Sequence, residues 1–260
     1  MTPATVTLYR APTTVCDVDA LAEWLADRID PSVQVRDRFV SEYGDSEALA
    51  GSFARARVIS PYDRETGSEM LGIKRYEERV LAEPDRGGGV LYDGFQIQRA
   101  FNRALPKEER SLSHLHIPVL DRVLATWGDH DGRWHKRIAV LGQPTLLSIP
   151  GLYEAPAKPE AYYQEQQRHA LVTGDTPPRE VLESELELDM LVEDDPRTTE
   201  AMKGYVLAAY HLVATGEGFC AAEECRLSNP HRHAELIRSH LEAPAFCAEH
   251  RNIYGRNEEG

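Results

Sequence analysis

Four ligand-type side chains close together near the C-terminus constrain this chain more than any other feature. The stretch "GFCAAEECRLSN" (218–229) carries Cys220 and Cys225, and "CAEH" adds Cys247 and His250, giving a C-x4-C-x21-C-x2-H spacing. Zinc takes four soft or borderline donors in a tetrahedron, and two donors a few residues apart supply two corners from one turn. Four protein donors leave no open corner, so the expectation is a closed structural site holding one Zn2+ per chain. Three buried thiols beside an incidental histidine, or a redox disulfide, are the alternatives. Metal binding of this kind contributes on the order of 10 kcal/mol to local folding. Residues 216–260 hold little core of their own and would depend on it.

Composition narrows the setting. The chain has 260 residues, 42% hydrophobic and 28% charged, the balance of a soluble globular protein with a sizeable core. Its apolar runs are too short to span a bilayer, and "MTPATVTLYRAPTT" has no basic stretch followed by an apolar one. No membrane association and a cytoplasmic location are therefore expected. Such a compartment keeps thiols reduced, and Cys16, standing alone, reads as a small buried side chain. Acids outnumber bases 43 to 29 for a net charge of −14, and only five of the bases are lysine. An acidic, lysine-poor surface suits a salt-rich, halophilic cytoplasm; codon bias in a GC-rich genome is the plainer alternative. Either way the field repels a phosphate backbone, which argues against nucleic-acid binding.

Patterning predicts an α/β (α+β) fold. "TVTLYRA" (5–11) reads as a strand, "DVDALAEWLADRI" (17–29) as an amphipathic helix behind an Asp cap, and "SVQVRDRF" (32–39) as a second strand. That β-α-β opening favours a partly parallel sheet. Residues 44–112 read as an insertion or subdomain, with helices near 45–58 and 68–84, a break at "DRGGG" (85–89), a strand at 90–95 and a helix at 96–105. Strands follow at 115–123, 137–143 and 145–151, joined in part by "ATWGDHDGRWH", a hairpin or loop. Pro118 places the first of these at a sheet edge or bulge. Helices are expected at 159–171, 178–192, 196–215 and 231–242. The division is then 1–215 as an α/β domain containing the 44–112 insertion, with 216–260 as a zinc-binding segment packed on it.

The helix ahead of the cysteines adds a resemblance. With C-x4-C as anchor, Gly216, Cys247 and His250 fall where archaemetzincins, a branch of the metzincin zinc peptidases, carry a glycine and two later zinc ligands. The stretches "HIPVLDRVLATW", "EAPAKP" and "CRLSNPHRHAELI" also resemble an archaeal family of unknown function grouped with the metallopeptidases. The resemblance spans about residues 112–254. It implies a metzincin-like mixed sheet with packed helices and a C-terminal zinc knuckle. In archaemetzincins an H-E-x-x-H-x-x-G-x-x-H motif binds catalytic zinc just ahead of the structural site. Here Ala209, Val213 and Phe219 stand at the three histidine positions, Tyr210 at the glutamate and Leu227 at the methionine after the second cysteine. No histidine in the chain is followed by glutamate, and no two lie four apart. Met202, Tyr205, Val206, Ala209, Leu212, Val213 and Gly216 form one apolar stripe, so the would-be catalytic face reads as packing surface, with His211 turned away from it.

The expected function is a metallopeptidase-family scaffold with one structural zinc, without peptidase activity, that binds a peptide or protein partner. A rebuilt zinc hydrolase is the alternative, with His211, His231 and His233 as ligands and Glu217 or Glu235 as base, or with Asp129, His130, Asp131 and His135 of the "DHDGRWH" loop. A C-terminal nucleic-acid module is a third, because residues 226–256 carry five arginines against three glutamates. No G-x-S-x-G elbow and no Gly-rich phosphate loop occurs.

Overall fold

A computed structural model describes residues 2–12, 15–44, 46–83, 89–186 and 189–255. The break read at 85–89 lies outside these residues up to position 88, as do 187–188 of the helix expected over 178–192 and the polar end at 256–260.

The predicted β-α-β opening is present. Strand β1 (Thr5–Tyr9) leads into α1 (Val18–Ala26), where the Asp17 carboxylate accepts from the Ala20 N–H at 3.0 Å, and on to β2 (Ser32–Arg36). Next come α2 (Phe39–Tyr43), α3 (Ser46–Ala56), α4 (Leu71–Ala82), β3 (Leu91–Asp93) and α5 (Gly94–Ala104), the last capped by Asp93. Then follow β4 (His114–Leu120), β5 (Val123–Gly128), β6 (Arg133–Arg137), β7 (Ala139–Val140), β8 (Leu146–Ser148) and α6 (Ile149–Glu154). The chain closes with α7 (Glu160–Thr173), α8 (Arg179–Glu185), α9 (Thr198–Thr215), α10 (His233–Ile237) and α11 (Ala248–Tyr254).

The main sheet runs β2-β1-β4-β8-β7, parallel except for β7, and a smaller sheet runs β3-β5-β6. Alternation along the strands separates two cores. Val6, Leu8, Leu115, Ile117, Val119 and Leu147 face α1, α6 and α9. Tyr9, Leu120 and Leu146 face the other way, onto Phe39, Phe53, Ile97 and Phe101 from residues 39–105. Two covered faces are what a parallel sheet requires. Residues 44–112 thus cover one side of the main sheet and contribute β3 to the smaller one.

Pro118 corrects one expectation. It lies in β4, the central strand, paired with Tyr9 of β1. The Thr145 N–H donates to the His116 carbonyl, so residues 116 and 118 turn their main-chain polar groups toward β8. The ladder with β8 begins only at Val119, and the donor that proline lacks falls just ahead of it.

Helix α9 corrects another. It is not amphipathic: from Gly204 to His211 every side chain is buried. Helices α1 and α6 and strand β4 take one flank, while Leu227, Leu236, Phe246 and Tyr254 from the C-terminal segment take the other within the same core. Inside this packing the Tyr205 hydroxyl is buried with no hydrogen-bond partner among the described residues. Tyr205→Phe removes an unpaired polar atom and keeps the ring, so urea unfolding should show it unchanged or more stable by about 1 kcal/mol. A clear loss of stability would mean that a trapped water pairs the hydroxyl.

Candidate metal centre

Helix α9 ends at Gly216, whose φ of 91° suits glycine and whose N–H closes on the Leu212 carbonyl. The chain then passes so close to β7 and its turn that a Cβ on Gly218 would lie 2.6 Å from Leu141. A tight loop follows. The Cys220 N–H donates to the Leu227 carbonyl, Cys225 to Ala222 and Ser228 to Cys225, which turns both thiols inward. Cys247 stands at the start of α11, and His250 lies on that helix's first turn.

The four donors meet. Cys220 Sγ lies 3.9 Å from Cys247 Sγ, and His250 Nδ1 lies 3.6 Å from Cys225 Sγ and 3.1 Å from Cys247 Sγ. All four donor atoms fall within 4.8 Å of one another. Zn–S bonds of about 2.3 Å and a Zn–N bond of about 2.0 Å in a tetrahedron place sulfurs about 3.8 Å apart and sulfur and nitrogen about 3.5 Å apart. The observed spacings fit that donor set. They do not fit a disulfide, whose sulfurs stand about 2.05 Å apart, and the thiols are free. Burial pushes the Cys225 thiol up to about 12 and raises Cys220. At Cys247 burial acts the same way, but the main-chain N–H groups of His250 and Glu249 and the two other thiols outweigh it and hold that thiol below its usual value. A divalent cation would supply the charge that buried thiolates lack.

The imidazole is oriented from behind. His250 Nε2 lies 3.4 Å from His211 Nε2, and His211 Nδ1 lies 2.8 Å from the Tyr254 hydroxyl. With Nδ1 of His250 facing the thiols, its Nε2–H donates to His211, which leaves the His211 Nδ1–H to donate to Tyr254. That chain fixes both tautomers. Two features were missed from sequence: His211 is buried beside the cluster rather than turned away, and Tyr254 completes the chain. The C-x2-H-R-N-I-Y spacing at the start of α11 does not announce a partner 39 residues earlier on another helix.

Of the two donor sets expected for a rebuilt site, the one drawn from His211, His231 and His233 does not come together, whereas His130, Asp131 and His135 of the β5–β6 hairpin do lie close to one another. Among the described residues, no metal-capable group contains His211, His231 or His233. His233 is buried and its Nδ1 accepts the Leu191 N–H at 3.3 Å, and burial lowers it to about 4. His231 is exposed, Glu217 is exposed, and Glu235 accepts from the N–H groups of His231 and Arg232 as the cap of α10. Each belongs to a separate local structure. Ala209 is fully buried in the core, while Val213 and Phe219 pack against it.

Beside the cluster runs a groove of about 310 Å³ between the edge strand β7 and residues 219–231. Phe219, Asn229, Pro230 and His231 form one wall, and Ile138, Ala139 and Leu141 the other, with Phe95, Lys136 and Arg137 also lining it. Ser148 N–H donates to the Ile138 carbonyl and Val140 pairs with Leu146, so Ala139 between them turns its N–H and C=O outward. The Arg137 guanidinium is half-buried, donates to the neutral Thr126 hydroxyl at 2.7 Å, and forms no ion pair among the described residues.

A family model matches residues 7–253, from within β1 into α11 and across both the sheet and the cysteine cluster. The chain belongs to DUF7001, a family of unknown function. The DUF7001 chain matches no curated protein. It is similar to two solved structures. One is archaemetzincin from Methanopyrus kandleri, with 12% identity, 98% of this chain and 95% of that chain covered, and a TM-score of 0.43. The other is a zinc-dependent peptidase from Methanocorpusculum labreanum, with 11% identity, coverage of 96% and 98%, and a TM-score of 0.42. Likenesses of this size leave the DUF7001 site to be read from its own residues. No helix among those described is long and apolar enough to cross a membrane.

Proposed function

We propose that this protein is a non-catalytic, zinc-stabilised peptide-binding module, related in its scaffold to zinc peptidases. One zinc ion is held by Cys220, Cys225, Cys247 and His250. Four protein donors supply a cross-link and charge balance and leave no position for a substrate or a nucleophilic water. The observation that carries the reading is that the segment holding the first two thiols also forms a wall of the groove: Phe219 precedes Cys220, and Asn229–His231 closely follow Cys225. The ion would therefore set the groove's shape. The groove offers the outward main-chain groups of Ala139 for an added extended segment, apolar side chains on both walls, and an uncompensated guanidinium. On a chain of net charge −14, that cation selects a peptide carrying a carboxylate.

The helix supports the proposed absence of hydrolysis. Alanine and valine cannot ligate metal, and Ala209 is sealed in the core. The test uses an array of octapeptides ending in a free carboxylate or in an amide, offered to the zinc-loaded protein, with bound peptide read by fluorescence and its mass checked afterwards. Binding of acid-ended peptides, intact by mass, is expected. Arg137→Ala should weaken it roughly 10- to 100-fold, the 1.5–3 kcal/mol of a charge-assisted hydrogen bond. Cleaved peptide would replace this reading with a hydrolase. No binding at all, or equal affinity in the variant, would end it.

A further inference from the structure

The turn between β5 and β6 gathers a second set of donors, independent of the thiols and of the peptide groove. Asp131 Oδ1 lies 2.9 Å from His135 Nε2 and 3.6 Å from His130 Nε2, and the two rings stack with centroids 5.6 Å apart. The other carboxylate oxygen is held by Arg133 Nε at 2.7 Å, which leaves Oδ1 to the histidines. Each residue offers one donor atom, and all three lie within 4.8 Å of one another. Gly128 makes the room: a Cβ there would stand 2.6 Å from Asp131 Oδ1 and 2.7 Å from His135 Nε2.

A hydrogen-bonded turn needs only one histidine on Asp131. Here two imidazoles lie toward the same oxygen. A single cation among the three donors would use both rings and the carboxylate together. Metal–donor bonds of about 2.0–2.1 Å put neighbouring donors roughly 3 Å apart, near the spacings seen.

We propose that His130 Nε2, Asp131 Oδ1 and His135 Nε2 form an open three-donor site for a divalent transition cation of the zinc, cobalt and nickel class. Two imidazoles and one carboxylate favour that class over magnesium or calcium. Three protein donors leave coordination positions to solvent, unlike the closed thiol cluster. The site takes two ligands from the turn and one from the strand β6 that follows it.

Equilibrium dialysis of the zinc-loaded full chain against micromolar nickel(II) at pH 7.5, followed by elemental mass spectrometry, tests it. Wild type should hold one nickel per chain in addition to the zinc. His130→Ala/His135→Ala should lose that nickel, keep the zinc and keep the cooperative unfolding of wild type, because His130 is exposed in the turn and His135 lies near the end of the β5–β6 hairpin, away from both main cores. Gly128→Ala, which fills the space beneath the donors, should weaken nickel binding at least tenfold. Equal nickel in the double variant, or nickel lost only with the cysteines, would overturn the assignment. So would a wild type that takes up none.

Discussion

Replacing Cys220 and Cys225 with serine should strip the zinc from the purified protein and lower its stability by on the order of 5 kcal/mol or more. Structural zinc in small modules contributes about 10–16 kcal/mol of apparent folding free energy. Part of the local folding here comes instead from Leu227, Leu236, Phe246 and Tyr254, which share the core with α9, so the expected loss is a fraction of that range. It remains large against a typical total of about 5–15 kcal/mol, and the variant should populate forms with the C-terminal segment detached. Elemental mass spectrometry gives the metal count and urea unfolding the stability. Zinc retained in the variant would mean that the thiols do not hold it. Zinc lost with stability unchanged would confine the ion to a passive role and remove its hold on the groove wall.

Gly204→Ala should destabilise by about 3 kcal/mol, against the sign of helix propensity. Alanine in a helix interior is ordinarily worth about 1 kcal/mol over glycine, and Gly204 is inside α9. A Cβ at this position would stand 2.4 Å from the Arg226 carbonyl oxygen and 2.6 Å from His240 Nε2. The first is main chain one residue after Cys225, and the second belongs to a fully buried ring stacked on Tyr205. Neither can yield cheaply, and overpacking of this kind costs about 1–3 kcal/mol or more. Thermal unfolding decides it. A rise in melting temperature would show that α9 and the cysteine loop do not touch in solution.

What the sequence disclosed, it disclosed through local chemistry. The Asp17 cap and the β1 strand each act over a few residues and appear in the structure as read, and Cys220, Cys225, Cys247 and His250, close in pairs along the chain, come together. The misses involve long-range contact. A single apolar stripe on α9 was legible, but His211 read as turned away from the packing because its cover, His250 and Tyr254, comes from α11. Pro118 pointed to a sheet edge because a missing donor is visible in sequence, whereas the register that makes it harmless is not. The groove was also invisible, since its two walls are about 80 residues apart in the chain and meet only through the fold.

The burial of α9 on both flanks bears on how a newly made chain must behave. As the nascent polypeptide lengthens, residues 198–215 emerge when the sheet and α1 already exist to receive one side, while the cover for the other has yet to be synthesised. Until residues 225–254 arrive and fold back, Tyr205, Ala208 and their neighbours present an apolar flank to the cell, the kind of transient surface that invites chaperones or aggregation. With the proposed zinc holding that cover in place, metal supply would act as a maturation step. In a zinc-starved cell the protein should accumulate as an insoluble or degraded intermediate rather than as an intact chain missing an ion.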